Sequence, residues 1–431
     1  MEAVLLDDLP RWRECRDCGL FQRLPDLPDG EAAVCARCDA MLRRVDSRSL
    51  LFARLNAVGA ALLLLLALTL PLVELHLLGR SARATVFSGP SALRDEGLPL
   101  LAFVVVVTVV VVPAAKLLVE LAVLFGVGTA HPNRWLAWLF GWMERITPWA
   151  MVEVFLLGGF VAYTRLQALA TVHVGLAAAA LGGTMLTLVA VDATIDREAI
   201  WQSLDAGSPR PGRNRAPRSA SGDAKLIGCV ACRHVANAKE GERCPRCLHR
   251  LSAREGGLGR VWALVVAAAL LYVPANVLPV MTVERLGRGG PTTILHGVVE
   301  LAQDHMWPLA VIVLLASIVV PVLKLVSLTA MLVMTHRRSP SLLPGRTRLF
   351  RFVRFIGRWS MIDIFTLSVL VGVVRFGRIA TVSPGTGAAA FCAVVVLTML
   401  ATELFDPRVM WDAAGRGQEA LEVREVALAP G

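Results

Sequence analysis

Eight of the nine cysteines stand in four Cys-x-x-Cys pairs: Cys15/Cys18 with Cys35/Cys38, and Cys229/Cys232 with Cys244/Cys247. Two close thiol pairs joined by a short insert offer four thiolates to one ion, in a closed tetrahedral site. Zinc is the expected metal; iron in a rubredoxin-like site answers to the same pattern. Thiol–disulfide chemistry would need one such pair in a βαβ setting, and none is visible. Four thiolates leave no open coordination position, so the expected role is structural. A short module with little core needs a metal to fold. Cys392, alone in an apolar run, reads as a buried small hydrophobe.

A second group of chemically capable residues lies inside apolar sequence. Ser317-Ile-Val-Val-Pro321-Val-Leu-Lys324-Leu-Val-Ser327 sits within the apolar run Pro308 to Met334. A run of that length is a transmembrane helix candidate. A charge at bilayer depth costs about 2.5–3.5 kcal/mol on insertion scales, so Lys324 needs protein or water around it. Pro321 cannot donate to the carbonyl of Ser317, which predicts a kink and a free acceptor there. Ser317, Pro321 and Lys324 share one helix face at i, i+4, i+7.

These features occur twice. Val112-Pro113-Ala-Ala-Lys116 matches Val320-Pro321-Val-Leu-Lys324 at an offset of 208 residues. Leu70-Pro71 matches Leu278-Pro279, and Leu78-Gly79-Arg80 matches Leu286-Gly287-Arg288. Trp149-x-Met151-x-Glu153-x-Phe155 matches Trp359-x-Met361-x-Asp363-x-Phe365, and Trp201 matches Trp411. The two halves are not equivalent. Where the second has Ser317, Ser360 and Thr398, the first has Val109, Ala150 and Leu188. Thr402, one turn from Thr398, adds to the second set. The asymmetry predicts a structural charge pair, Lys116 with Glu153, in the first half. It predicts a working site in the second, where Asp363 is the expected partner of Lys324.

The chain has 431 residues, is 55% hydrophobic and has a mean hydropathy of +0.60, too apolar for an ordinary soluble protein. Eight apolar runs follow: Leu50–Val73, Leu98–Phe125, Trp149–Leu166, Val172–Ala193, Val261–Val283, Pro308–Met334, Trp359–Val374 and Ala388–Leu404. The expected fold is an all-α polytopic membrane protein of two tandem four-helix repeats, each preceded by a zinc ribbon. The expected boundaries are ribbon 1–48, repeat 49–194, disordered linker 195–225, ribbon 226–256, repeat 257–406 and tail 407–431. Four helices per repeat make the repeats parallel, unlike inverted-repeat transporters.

Charge sets the orientation. Of 44 Lys and Arg, 34 fall on the ribbon side and 8 on the other, leaving only Lys116 and Lys324 within the spans. This bias predicts cytoplasmic ribbons, linker and termini, and it accounts for the net charge of +10 without nucleic acid. Thiols on that side stay reduced, which favours metal over disulfide. The first ten residues, with three acids and no base, do not read as a signal peptide. The β-prone pieces Ala84–Gly89 and Thr292–Gly297 are expected on the far side, paired with each other or with a partner. Gly158-Gly159, Gly182-Gly183 and Gly372 read as close helix packing.

The combination resembles the paraquat-inducible protein A family. It is carried by the paired cysteine motifs before each block, the Pro-x-x-Lys of each second helix, and Trp-x-Met-x-[Glu/Asp]-x-Phe in each third. The terminal Phe405-Asp-Pro-Arg-x-x-Trp411-Asp412 completes it. The match spans nearly the whole chain. The resemblance implies a Gram-negative inner-membrane protein working with a periplasm-spanning mammalian-cell-entry (MCE) domain tunnel protein and moving phospholipid between membranes. It also implies structural, cytoplasmic zinc ribbons.

Within that frame Lys324, Asp363 and their hydroxyl neighbours admit two readings. One is an ion pair that ties two helices together. The other is a site whose protonation couples to lipid movement, a role that suits a buried lysine. No ATP-binding loop and no hydrolytic triad pattern occur, so no enzyme activity is expected and any energy comes from an ion gradient or a partner. A non-transporting anchor for the tunnel protein, and a thiol- or metal-sensing membrane protein, are the alternatives from other classes.

Overall fold

The computed structural model describes residues 12–25, 27–45, 50–77, 80–127, 134–167, 171–206, 225–254, 256–285, 288–374, 380–416 and 427–429. The repeat anchors Leu78-Gly79 and Leu286-Gly287 and most of the expected linker, 207–224, lie outside these residues. An N-terminal ribbon of β1 (Trp12–Glu14), β2 (Phe21–Arg23), β3 (Ala32–Val34) and β4 (Met41–Arg44) opens the chain. The first repeat follows with α1 (Leu50–Thr69), β5 (Val73–Leu77), β6 (Arg80–Ala84), α2 (Ser88–Asp95), α3 (Pro99–Gly126), α4 (Arg134–Ile146), α5 (Val152–Gln167), β7 (Thr171–Val174) and α6 (Leu176–Thr194). Residues 195–206, expected as linker, carry a helix, α7 (Arg197–Ala206). The second ribbon holds β8 (Lys225–Gly228) and β9 (Val235–Ala238). The second repeat has α8 (Leu258–Val277), β10 (Met281–Arg285), β11 (Arg288–Thr292), α9 (Ile294–Gln303), α10 (Trp307–His336), α11 (Leu343–Ile356), α12 (Ile362–Val373), β12 (Ala380–Pro384) and α13 (Thr386–Leu404). After it come α14 (Arg408–Ala413) and β13 (Ala427–Ala429), which pairs with β3 of the first ribbon.

Eight spans among the described residues are long and apolar enough to cross a membrane. The third and seventh, Trp135–Gln167 and Leu343–Val373, run well beyond the apolar runs that mark them in sequence. Each is an amphipathic helix, α4 or α11, joined to α5 or α12 by a 3-10 turn. α4 buries Leu136, Phe140 and Met143 and exposes Trp135, Trp138 and Trp142. α11 exposes Leu349, Phe352 and Phe355. An aromatic stripe opposite a protein-bound face suits the boundary between membrane and water.

Each second span contains one π-helical turn, Val107–Val111 in α3 and Leu315–Val319 in α10. The two lie at the same 208-residue offset as the Pro-x-x-Lys motifs. Pro113 and Pro321 have no N–H for the carbonyls of residues 109 and 317, and the ladder widens instead. Val112 N–H reaches the Val107 carbonyl, and Val320 N–H reaches that of Leu315. Such a turn marks functional positions in many helices. It adds a residue to the register, yet Ser317 and Lys324 both stay buried.

The repeats meet where α5 crosses α12. Phe155 and Phe365 pack edge to face with centroids 5.6 Å apart, and Thr366 Oγ1 donates to the Gly158 carbonyl at 3.1 Å. A Cβ on Gly158 would lie 2.8 Å from Phe365 Cβ and 3.0 Å from the Ile362 carbonyl. The seventh span is therefore central: 72% of an 18-residue apolar stretch of it is buried, against 22% of the corresponding stretch in Leu258–Val277. Helix α2 of the first repeat packs on α12 of the second through Gly89, Ser368 and Gly372.

On the far side the pieces expected as β, Ala84–Gly89 and Thr292–Gly297, give one strand residue each: Ala84 ends β6 and Ser88 opens α2, while Thr292 ends β11 and Ile294 opens α9, and among the described residues no strand pairs between repeats. Each repeat closes its own three-stranded antiparallel sheet, β6-β5-β7 and β11-β10-β12. The third strand comes from the loop before the last helix. It supplies the pairing that a lone hairpin lacks.

The ribbons are exchanged between repeats. The first shares an apolar core with α8, α10, α11, α13 and α14 of the second repeat, around Val261, Leu328, Phe350 and Trp411. The second shares a core with α3, α4 and α7 of the first, around Val123, Phe140 and Trp201.

The α5–α12 crossing yields a paired prediction. Gly158→Leu should cost several kcal/mol of overpacking, more than the ~1–3 kcal/mol of an ordinary oversized core residue. Gly159→Leu, with nothing within 4 Å of its Cβ, should be neutral. Thermal unfolding of the detergent-purified variants decides, and equal midpoints would show that the crossing does not hold the repeats.

Candidate functional site

The four thiols of each ribbon converge. Cys15, Cys18, Cys35 and Cys38 are buried with their Sγ atoms within 4.8 Å of one another, and so are Cys229, Cys232, Cys244 and Cys247. The closest pairs are 3.5–3.6 Å apart. A tetrahedron with metal–sulfur bonds of about 2.3 Å has edges near 3.8 Å, so both cages fit one ion. The neighbouring thiols, Cys15 foremost at Cys35 and Cys232 foremost at Cys229, push the Cys35 and Cys229 thiols well below the usual thiol range. Gln22 Nε2 donates to Cys35 Sγ at 3.0 Å and its Oε1 accepts from Ala36 N–H, fixing that ligand from outside the cage. Each knuckle closes with a residue in the left-handed region: Gly19, Asp39, Arg233 and Leu248. Three of these are not glycine, at a cost of roughly 1–2 kcal/mol each that the closed cage offsets.

Trp201 and Trp411, the matched tryptophans, clamp the exchanged ribbons. Arg37 of the Cys35 knuckle lies 4.3 Å from the Trp411 ring, and Arg246 of the Cys244 knuckle 5.5 Å from the Trp201 ring. Trp411 Nε1 also donates to Thr347 Oγ1 at 3.1 Å. Between the ribbons runs a chain of ion pairs: Glu14 with Arg254 and Arg408, Asp406 with Arg408, Asp412 with Arg254, and Glu144 with Arg16 and Arg197. Burial pushes the Glu14 carboxyl up, against the pull of Arg408 and Arg254.

The polar centre of the second repeat is assembled differently from the sequence reading. Lys324, 1% exposed, does not meet Asp363. Its Nζ donates to Ser360 Oγ at 3.2 Å and Thr398 Oγ1 at 3.4 Å. Those hydroxyls in turn donate to the carbonyls of Gly357 and Val395. A Cβ on Gly357 would displace the end of the Lys324 side chain from this position. Thr402 sits one turn further along α13 and bonds to the Thr398 carbonyl. Lys324 and Thr402 line a cavity of about 300 Å³ that opens at the ribbon-side ends of the helices, among Arg351, Arg354 and Arg358.

Asp363 points the other way. The Ser317 side chain and the Arg165 guanidinium are the groups that act on it. Arg165 belongs to α5 of the first repeat and also feels Glu300 of α9. Asp363 and Arg165 line a cavity of about 50 Å³ under β10, β11 and α9, towards the sheet side. Asp363 Oδ2 is buried without a hydrogen-bond partner. Ser360 stands in the 3-10 turn Gly357–Met361 and Asp363 in the first turn of α12, so Lys324's partner and a carboxylate that lines the sheet-side cavity are three residues apart.

The first repeat departs from expectation in the same way. Lys116 pairs with Asp192 at 2.5 Å and Glu120 at 3.6 Å, not with Glu153. Glu153 pairs with Arg358 of the second repeat at 3.3 Å. Glu120, Asp192, Arg165 and Arg358 were not singled out from sequence. Glu120 stands four residues after Lys116, a helical pair spacing, and Asp192 interrupts the fourth apolar run; both signals were present. Nothing in the sequence pairs Arg165 with Asp363.

A duplicated bundle of eight candidate spans, two thiolate cages and a buried lysine in each half defines a polytopic membrane protein with paired metal-binding ribbons. The family model described as "Paraquat-inducible protein A" matches residues 54–205 and 258–415, one match per repeat, and the chain belongs to that family. The chain is 31% identical over 404 residues to the Escherichia coli (strain K12) "Intermembrane transport protein PqiA", covering 92% of this chain and 95% of the relative. It is 30% identical over 416 residues to the E. coli (strain K12) "Lipophilic envelope-spanning tunnel protein A", covering 95% and 94%. A Haemophilus influenzae "Probable intermembrane transport protein" is 28% identical over 410 residues, covering 92% and 95%. No solved structure matches.

The exchange of ribbons makes the cages' effects cross over. Cys35→Ser should remove one of two metal ions per chain and expose Arg348 and Arg351 of α11 to trypsin about tenfold faster, with α4 still protected. Cys244→Ser should instead expose Arg145 of α4. Metal analysis with limited proteolysis reads both, and loosening of the repeat that follows each ribbon in sequence would contradict the exchange.

Proposed function

We propose that this chain is the inner-membrane component of an intermembrane lipid transport system. It loads or extracts phospholipid for a periplasm-spanning MCE-domain tunnel protein, with protons coupled through Lys324 and Asp363. The observation that carries the reading is the split centre. Lys324 faces a ribbon-side cavity, Asp363 faces a sheet-side cavity, and both cavities are lined in part by the seventh span, Leu343–Val373, the first through Val353 and Gly357 and the second through Asp363 and Thr366. The printed names of the E. coli relatives, an intermembrane transport protein and a lipophilic envelope-spanning tunnel protein, support the same reading.

The partners of Lys324 suit a group that changes charge. A hydroxyl accepts from an ammonium and can turn to donate to an amine. Ser360 and Thr398 therefore serve both states, which a carboxylate partner would not. Ser317 offers Asp363 the same adaptability. The sheet-side cavity has roughly the volume of one or two waters, enough for a proton path and too small for a lipid headgroup. Lipid movement therefore requires the repeats to shift at the α5–α12 crossing. Lys116 and Glu153, held by ion pairs to other elements, serve as structural charges in this scheme.

The ribbons hold zinc in this reading, because four thiolates in a closed tetrahedron are its commonest structural site. They face the cytoplasm together with both termini, because 34 of 44 Lys and Arg lie on that side. The domain boundaries expected from sequence shift at two places, with α7 joining the first repeat instead of the linker and α14 joining the second repeat instead of the tail. Eight thiols no more than 3% exposed make poor oxidant sensors.

Lipid crosslinking and complementation of envelope sensitivity test the reading. Lys324→Ala and Asp363→Asn should each insert, bind the tunnel protein and lose transport by about tenfold or more, on the scale of roughly 1.5–3 kcal/mol for a lost charged hydrogen bond. Ser360→Ala with Thr398→Val should fall between these and wild type. Full transport with both charged residues replaced would leave a membrane anchor.

A further inference from the structure

We infer that the first repeat carries a second proton-binding site, built from Glu120, Lys116 and Asp192 and reached from the ribbon side. It stands apart from the Lys324–Asp363 centre and does not depend on the transport reading.

Glu120 sits on α3, 1% exposed, at the junction of α1, α3 and α6. Both of its carboxylate oxygens are buried and neither accepts a hydrogen bond. The nearest cation, Lys116 Nζ, is 3.6 Å away, beyond hydrogen-bond reach. That ammonium is committed to Asp192 Oδ2 at 2.5 Å. One lysine thus faces two carboxylates. The other charged groups around Glu120 are already engaged. Arg197 of α7 lies 3.9 Å from Asp192 and also binds Glu144 of α4. Arg54 of α1 is taken by the carbonyls of Leu124 and Val127. A bare carboxylate in this setting would have one ion pair, shared with Asp192, and no hydrogen bond to offset its burial. A proton on Glu120 removes the difficulty.

The same residues form a route. Asp192, with 37% of its side chain exposed, lines a cavity of about 290 Å³ beneath the ribbons, with Arg43, Arg197 and Trp201. A proton from cavity water enters on Asp192. Lys116 gives one of its ammonium protons to Glu120 and takes the proton from Asp192, and the lysine ends as it began. In the second repeat Leu328 occupies the place of Glu120 and Thr402 that of Asp192, at offsets of 208 and 210. The repeats therefore carry different ionisable chemistry around equivalent lysines.

Infrared difference spectroscopy of the full chain in lipid nanodiscs tests this. Wild type should show the C=O stretch of a protonated, buried carboxyl at neutral pH. The band should vanish in Glu120→Gln and persist in Asp363→Asn. Glu120→Leu, the residue the second repeat carries there, guards against misfolding and should also lack the band. Asp192→Asn should slow deuterium exchange of the band by roughly tenfold, the effect of about 1.4 kcal/mol on a barrier. Coincident wild-type and Glu120→Gln spectra from about pH 5 to about pH 9, a range spanning ordinary carboxylate and histidine titration, would overturn the site. Unchanged exchange in Asp192→Asn would overturn the route.

Discussion

A buried ammonium that meets only hydroxyls sets the terms for the second repeat. Lys324 is 1% exposed on the wall of the ribbon-side cavity, and Ser360 and Thr398 are the acceptors it has. Its position depends on several backbone features at once. The π turn before Pro321 sets the register of α10, the 3-10 turn Gly357–Met361 places Ser360, and Gly357 leaves room for the lysine stem. The lysine also accounts for the polar edge of α13, where Thr398 replaces an apolar residue of the first repeat. Buried polar groups in membranes are retained where they act or where they join helices. The split between Lys324 and Asp363 favours action, since neither charge ties its helix to the other.

The exchanged ribbons give the bundle a second constraint. Each ribbon rests on the repeat that it does not precede, so neither repeat can move far without carrying the other's module. The cation–π contacts on Trp201 and Trp411 and the ion pairs around Glu14 lie outside the apolar spans. Fold and motion are thereby linked across the α5–α12 crossing. A metal cage of this kind contributes by holding a small module rigid, which fits a brace better than a sensor.

Much of this was legible in the residues. The four Cys-x-x-Cys pairs, the duplication at 208 residues and the eight apolar runs rest on local spacing, and spacing survives folding. Glycines 158, 183 and 372 were read as close packing and do lie against neighbours, while Gly159 and Gly182 face open space. The pairings were not legible. Lys324 with Asp363, and Lys116 with Glu153, followed from charge matching along equivalent motifs. The π turns and the direction of each side chain decided otherwise, and neither has a sequence signature beyond the proline. α4 and α11 were hidden because amphipathic helices at a membrane surface have lower hydropathy than spans. The exchange of ribbons is a long-range contact that no local pattern encodes.

The most direct test of the central claim is lipid transfer from vesicles holding the purified protein to the proposed MCE-domain tunnel protein, measured with and without an imposed proton gradient. The account predicts that transfer by wild type follows the gradient and that Lys324→Ala abolishes the dependence. Wild-type transfer that is unchanged when a protonophore collapses the gradient would contradict it.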